Sequence, residues 1–112
     1  MSTPGVRRDR CLRRYATRFA RFCLLRHRCP SDHPVLSTEV QLVDMARSKL
    51  QKELLSGLSV DGLARARADL EFEIRQTARD WVLAQPVDGS VIAAVLEAVD
   101  REDLGRLFLL DN

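Results

Sequence analysis

Long apolar runs are missing from this chain. It has no stretch of about 18 uninterrupted apolar residues, and its start lacks the apolar segment of a secretory signal, so neither a transmembrane span nor secretion is expected. Cysteine is sparse and odd in number: Cys11, Cys23 and Cys29 all fall near the N-terminus, which is not the layout of a secreted disulfide framework. Reduced thiols and a cytoplasmic location are the expectation. Catalytic signatures are missing as well. There is no G-x-x-x-x-G-K-S/T loop to cradle phosphates, no G-x-G-x-x-G turn, no G-x-S-x-G elbow and no H-E-x-x-H pair. Cys11 or Cys23 with His27 would supply a nucleophile and a base, but nothing nearby marks a pocket that excludes water. The chain is therefore read as a non-enzyme, with no catalytic residue, cofactor or metal ligand assigned.

Aromatic residues are scarce at 5%, while 46% hydrophobic and 30% charged residues make an ordinary globular composition. A chain of 112 residues has room for one folded unit with a modest core. The formal net charge of +2 conceals an asymmetry. Residues 1–30 hold nine arginines and one aspartate, giving +8, whereas residues 31–112 hold nine basic and fifteen acidic residues, giving −6. Parts so opposed can attract each other or different partners. The expected organisation is a basic Arg-rich arm and linker over 1–33, followed by a helical bundle over 34–112.

The pattern is helical throughout. Leu12, Tyr15, Ala16, Phe19, Phe22 and Cys23 recur at three- and four-residue spacing between Arg7 and Arg28, with Arg10, Arg13, Arg14, Arg18, Arg21 and Arg28 opposite. Pro30 and Pro34 break the chain after Cys29. A second helix is predicted from Ser37 or Thr38 to Leu55, with Val40, Val43, Ala46, Leu50 and Leu54 as its apolar stripe. Residues 59–68 read as a turn with a short helix. A third helix is predicted from a cap at Asp69, with Leu70, Ile74, Thr77, Trp81 and Ala84 on one side and Pro86 as its stop. Asp88, Gly89 and Ser90 open a fourth helix bearing Val91, Val95, Ala98 and Val99, and a short segment interrupted by Gly105 follows. No alternating strand pattern competes. The fold class is thus all-α: a small three- to four-helix bundle preceded by a basic amphipathic helix, with Trp81 at or near the core. The arm either packs across the bundle or trails away from it.

Three clusters invite a chemical reading. Cys23, His27, Cys29 and His33 form a C-x3-H-x-C-x3-H spacing of zinc's preferred ligand types. The spacing is not that of a standard finger, and Arg18, Arg21, Arg26 and Arg28 oppose a cation while lowering the thiol pKa values. The arginine-rich helix suits nucleic-acid phosphates, or an anionic membrane with Leu12, Tyr15, Phe19 and Phe22 inserted, and also looks like a transit peptide or an adventitious extension. Glu71 with Arg75, and Arg75 with Arg79, read as a solvated helical face. Glu97, Asp100, Glu102 and Asp103 read as an exposed helix end, not a metal site.

From about Val40 to Asp111 the chain resembles the N-terminal helical region of the Flp/Tad pilus-assembly secretion ATPases, the CpaF-like branch of the type II/IV secretion ATPase family. The segments that carry the resemblance are LQKELLSGLSV, DGLARARADLEFEIRQTARDW and EDLGRLFLLDN. Leu50, Leu54, Leu58, Leu70, Ile74, Leu104, Gly105, Leu107, Leu110 and Asp111 take the family's places. The family carries a glycine-proline step where this chain has Gly105, Arg106 and Leu107. The resemblance implies a non-catalytic helical accessory domain or truncated relative without ATPase activity, acting through protein partners such as secretion or pilus-assembly components. The alternative is a small regulator that binds nucleic acid through the Arg-rich helix. The first reading places function in the body, and expects that body to stay folded when residues 1–33 are removed.

Overall fold

The computed structural model describes residues 4–108. They form four α-helices, α1 (Pro4–Arg28), α2 (Pro34–Gly57), α3 (Val60–Leu83) and α4 (Gly89–Arg101), then a short 3-10 helix over Gly105–Phe108, with no strand among the described residues. The all-α bundle is as read from the sequence. Leu110 and Asp111, part of the resemblance, lie outside the described residues.

Two helix starts differ from expectation, each for a capping reason. α2 begins at Pro34, ahead of Ser37 and Thr38, because the His33 imidazole accepts a hydrogen bond from the Val35 N–H at 3.1 Å. Proline costs nothing at the first helical position, where its missing N–H would have had no partner. α3 starts at Val60 and runs unbroken through Asp69, because Ser59 Oγ accepts from the Gly62 N–H at 3.0 Å. A Cβ at position 62 would lie 3.2 Å from that oxygen, so glycine lets the cap close. The turn expected over 59–68 is therefore two further turns of α3, with Leu63 buried.

The apolar stripes also shift. On α2, Ala46, Leu50 and Leu54 are buried, but Val40 is 41% exposed and Glu39 takes the inward place at 3%. Its carboxylate meets Arg21 of α1 at 3.4 Å. On α3 the buried line is Leu63, Leu70, Ile74, Ala78 and Val82, while Thr77 and Trp81 are half-buried and Ala84 is exposed. The four-residue step from Leu70 to Val82 turns Ala78 and Val82 inward and leaves Trp81 at the border of the core.

Of the two arrangements left open for the arm, the structure has the one in which it packs across the bundle. α1 packs most extensively on α2, then on α3 and on α4, while α2 and α3 barely meet. Leu12, Tyr15, Ala16, Phe19, Ala20, Cys23 and Leu24 are buried in the same cluster as Leu50, Ile74, Val95 and Leu107. The break over 29–33 lies where it was expected, but one core continues across it. A helix with small residues such as Ala16 and Ala20 on its inner face lets neighbours approach closely on several sides.

Arg75 is not part of a solvated face. Its guanidinium donates to the carbonyls of Val99 at 2.7 Å and Glu102 at 2.9 Å, occupying acceptors that the C-terminal turn of α4 leaves open. Glu71 pairs instead with Arg67 at 3.0 Å, and Arg79 reaches Asp100 at 2.7 Å. The last segment is tied down in a similar way. Gln51 Nε2 donates to the carbonyls of Arg106 and Leu107, both at 3.0 Å, and the Gly105 N–H donates to Asp103 Oδ1 at 2.7 Å.

Candidate polyanion-binding face

At about 100° per residue, Arg7, Arg10, Arg14, Arg18, Arg21 and Arg28 line the side of α1 opposite its buried face. From Arg7 to Arg28 the stripe covers about 32 Å at ~1.5 Å per residue. Arg7 meets Glu53 at 4.0 Å and Arg21 meets Glu39 at 3.4 Å. By contrast, Arg10, Arg13, Arg14, Arg18 and Arg28 have no carboxylate within ion-pair distance among the described residues. On α1 Arg8 and Arg26 also have one, and off it so do Arg47, Arg67, Arg79 and Arg101. Among the described residues Lys49, Lys52, Arg65, Arg75 and Arg106 also have none, but they are spread over α2, α3 and the last segment, whereas those of α1 lie along a single helix.

Two clefts border this face and contain no acidic residue. One of about 430 Å³ between α1 and α3 is lined by Arg13, Arg14, Thr17, Arg18, Arg21 and Trp81. One of about 220 Å³ toward α2 is lined by Arg10, Cys11, Arg14, Ala46 and Lys49. A third cleft, of about 270 Å³, lies between α1, α2 and the segment after α4. There Arg47 and Arg106 stand among Asp44, Glu102 and Asp103, and Arg47 meets Asp44 at 2.5 Å, so its charges offset one another.

The cysteine and histidine cluster is dispersed. Cys23 is in the core, His27 is exposed, Cys29 is half-buried and His33 caps α2. Among the described residues no group of three or more His, Cys, Asp or Glu side chains is placed to hold a metal ion. The arginines do not lower the Cys23 thiol: burial pushes it up to about 12, and Arg26 offsets only part of that. Burial likewise raises Tyr15 above its ordinary 10.0, against a smaller opposing effect of Arg47. Both groups fold in the neutral form, so their contribution is fully present below the unfolded pKa and is lost as pH rises toward the folded one. The melting temperature should hold to about pH 9 and then fall toward pH 12, and Cys23→Ala should make that fall shallower. A thermal-melt series against pH checks this; an equally steep fall in the variant would contradict it.

Of the apolar side chains that a membrane-lying helix would insert, Leu12, Tyr15 and Phe19 are buried in the bundle and Phe22 is half-buried. No described helix is long and apolar enough to cross a membrane. Sequence reading placed the arginines correctly but missed the position of Trp81 beside them. The alternative stripe of Leu70, Ile74, Ala78 and Val82 was the signal available for it. No family model, curated protein or solved structure matches the chain, so its geometry alone supports a functional reading.

Proposed function

We propose that this chain is a non-catalytic nucleic-acid-binding module whose contact surface is the arginine face of α1. The observation that carries the reading is a row of arginines on one ordered helix, several without a carboxylate partner, beside clefts with no acidic lining. Repeated guanidinium groups neutralise a phosphate backbone and release its counterions, the main source of nucleic-acid affinity. Lys49 and Lys52 are the only lysines among the 18 basic residues, which favours planar, multidentate contacts to phosphate. The −6 charge of residues 31–112 repels a polyanion from the other sides and so orients the approach.

The test is binding of labelled DNA and RNA across a salt series. With four arginines engaged, log affinity should fall against log salt with a slope of about −4 on duplex DNA and about −3 on a single strand. Replacing Arg10, Arg13, Arg14 and Arg18 together by alanine should remove most of that slope and roughly tenfold to hundredfold of the low-salt affinity. The melting temperature should not fall, since none of the four carries an ion pair and their mutual repulsion goes with them. Arg21 is left in place because Glu39 holds it. Unchanged low-salt affinity in the quadruple variant would end the proposal.

The resemblance to secretion ATPases supports a different proposal, a protein-interaction module of a pilus-assembly system. Leu50, Leu54, Leu70, Ile74, Leu104 and Leu107, which carry that resemblance, are all core residues. They bear on the fold and not on a partner surface, so the arginine face is the better-supported choice.

A further inference from the structure

We infer that the cleft between α1 and α3 receives an unpaired base, with Trp81 as its stacking surface, so that the preferred ligand is single-stranded nucleic acid. The inference rests on the nucleic-acid reading of the α1 face. Trp81 is the only tryptophan in the chain. It is half-buried, packed against the core, and lines the cleft with Arg13, Arg14, Thr17, Arg18 and Arg21. A side chain held by the core on one side is already ordered, so stacking a base on its open side costs little conformational entropy. At about 430 Å³ the cleft falls within the roughly 300–1,000 Å³ typical of small-molecule sites, which is room for a nucleotide.

The chemistry around the ring is what distinguishes strands. Arginines on one wall take the phosphates flanking a splayed base, Trp81 takes its π-face, and no carboxylate lines the cleft, Glu39 meeting Arg21 alone. In a duplex the bases are stacked on their neighbours and offer no free face, so a duplex engages the arginines alone. Stacking tolerates any base, because every base has a π-face.

Trp81 supplies its own reporter. An oligothymidine of about 12 nucleotides should quench the intrinsic fluorescence saturably and bind at least ~10-fold more tightly than a duplex of the same length. Trp81→Ala should weaken single-strand binding by about tenfold, measured by anisotropy of labelled DNA, while leaving duplex binding unchanged; Trp81→Phe, which keeps a ring against the core, should restore much of it. If oligothymidine and duplex bind equally, or Trp81→Ala weakens both alike, base recognition is overturned while the phosphate reading stands. Quenching by polyglutamate as strong as that by oligothymidine would overturn it too, since it marks the face as a site for any polyanion, acidic proteins included. If neither nucleic acid binds at low salt, both proposals fall together.

Discussion

Removing residues 1–33 should leave no folded bundle. Far-UV circular dichroism of the remainder should show a large loss of helicity and no cooperative melt. The reason is the position of α1, which packs on each of the other three helices while α2 and α3 barely meet. Leu12, Tyr15, Phe19 and Leu24 are buried, and full burial of one such side chain contributes about 1.5–3 kcal/mol. Four of them together rival the roughly 5–15 kcal/mol net stability of a small domain. Their loss also exposes the inner faces of α2 and α3, including Leu50, Leu54, Ile74 and Ala78. A cooperative transition in the 34–112 fragment would show instead that the body has a core of its own, as the secretion-ATPase reading expects.

Arg75→Ala should be the most damaging single arginine substitution, lowering stability by about 3 kcal/mol. The guanidinium holds two carbonyls, at Val99 and Glu102, that α4 cannot satisfy itself. Charge-assisted hydrogen bonds contribute about 1.5–3 kcal/mol each, and the low end applies because water can reach part of this site. Arg75→Lys should recover part of the loss, since an ammonium on a shorter donor group cannot match the fork. Chemical denaturation of the three proteins measures the effect. A loss below about 0.5 kcal/mol, the usual range for surface substitutions, would place Arg75 with the solvent-facing charges.

Much of the fold was legible because its signals are local. The three- and four-residue spacing from Leu12 to Cys23, the break near Pro30 and the restart at Asp88 all appear as expected. The starts of α2 and α3 were harder because two signals competed at each. Pro34 reads equally as a breaker or as a first helical residue, and the choice rests on His33, an unusual cap. Serine and aspartate both suit a helix cap, so Ser59 and Asp69 compete, and the continuous line from Leu63 through Leu70 to Ile74 decides for Ser59.

What was not legible depends on pairs distant in sequence. Glu39 lies inward because Arg21 waits on another helix, and Arg75 is withdrawn from the surface by carbonyls 24 and 27 residues further on. The arginine face shows the same limit. Helical spacing identified its residues, but only packing shows which ones lack a carboxylate and that Trp81 stands beside them. Likewise, the spacing of Cys23, His27, Cys29 and His33 suggested a shared site, yet burial of the first and the cap made by the last keep them apart.

The helix at the centre of the bundle is also the one crowded with like charge. Arg10, Arg14 and Arg18 follow one another at four-residue intervals, an arrangement that costs a helix about 0.2–0.5 kcal/mol per pair. Any anion that settles on that side relieves the crowding, and a ligand at a hundredfold its dissociation constant adds about 2.7 kcal/mol to stability. Under the proposed nucleic-acid reading, occupancy and foldedness rise together.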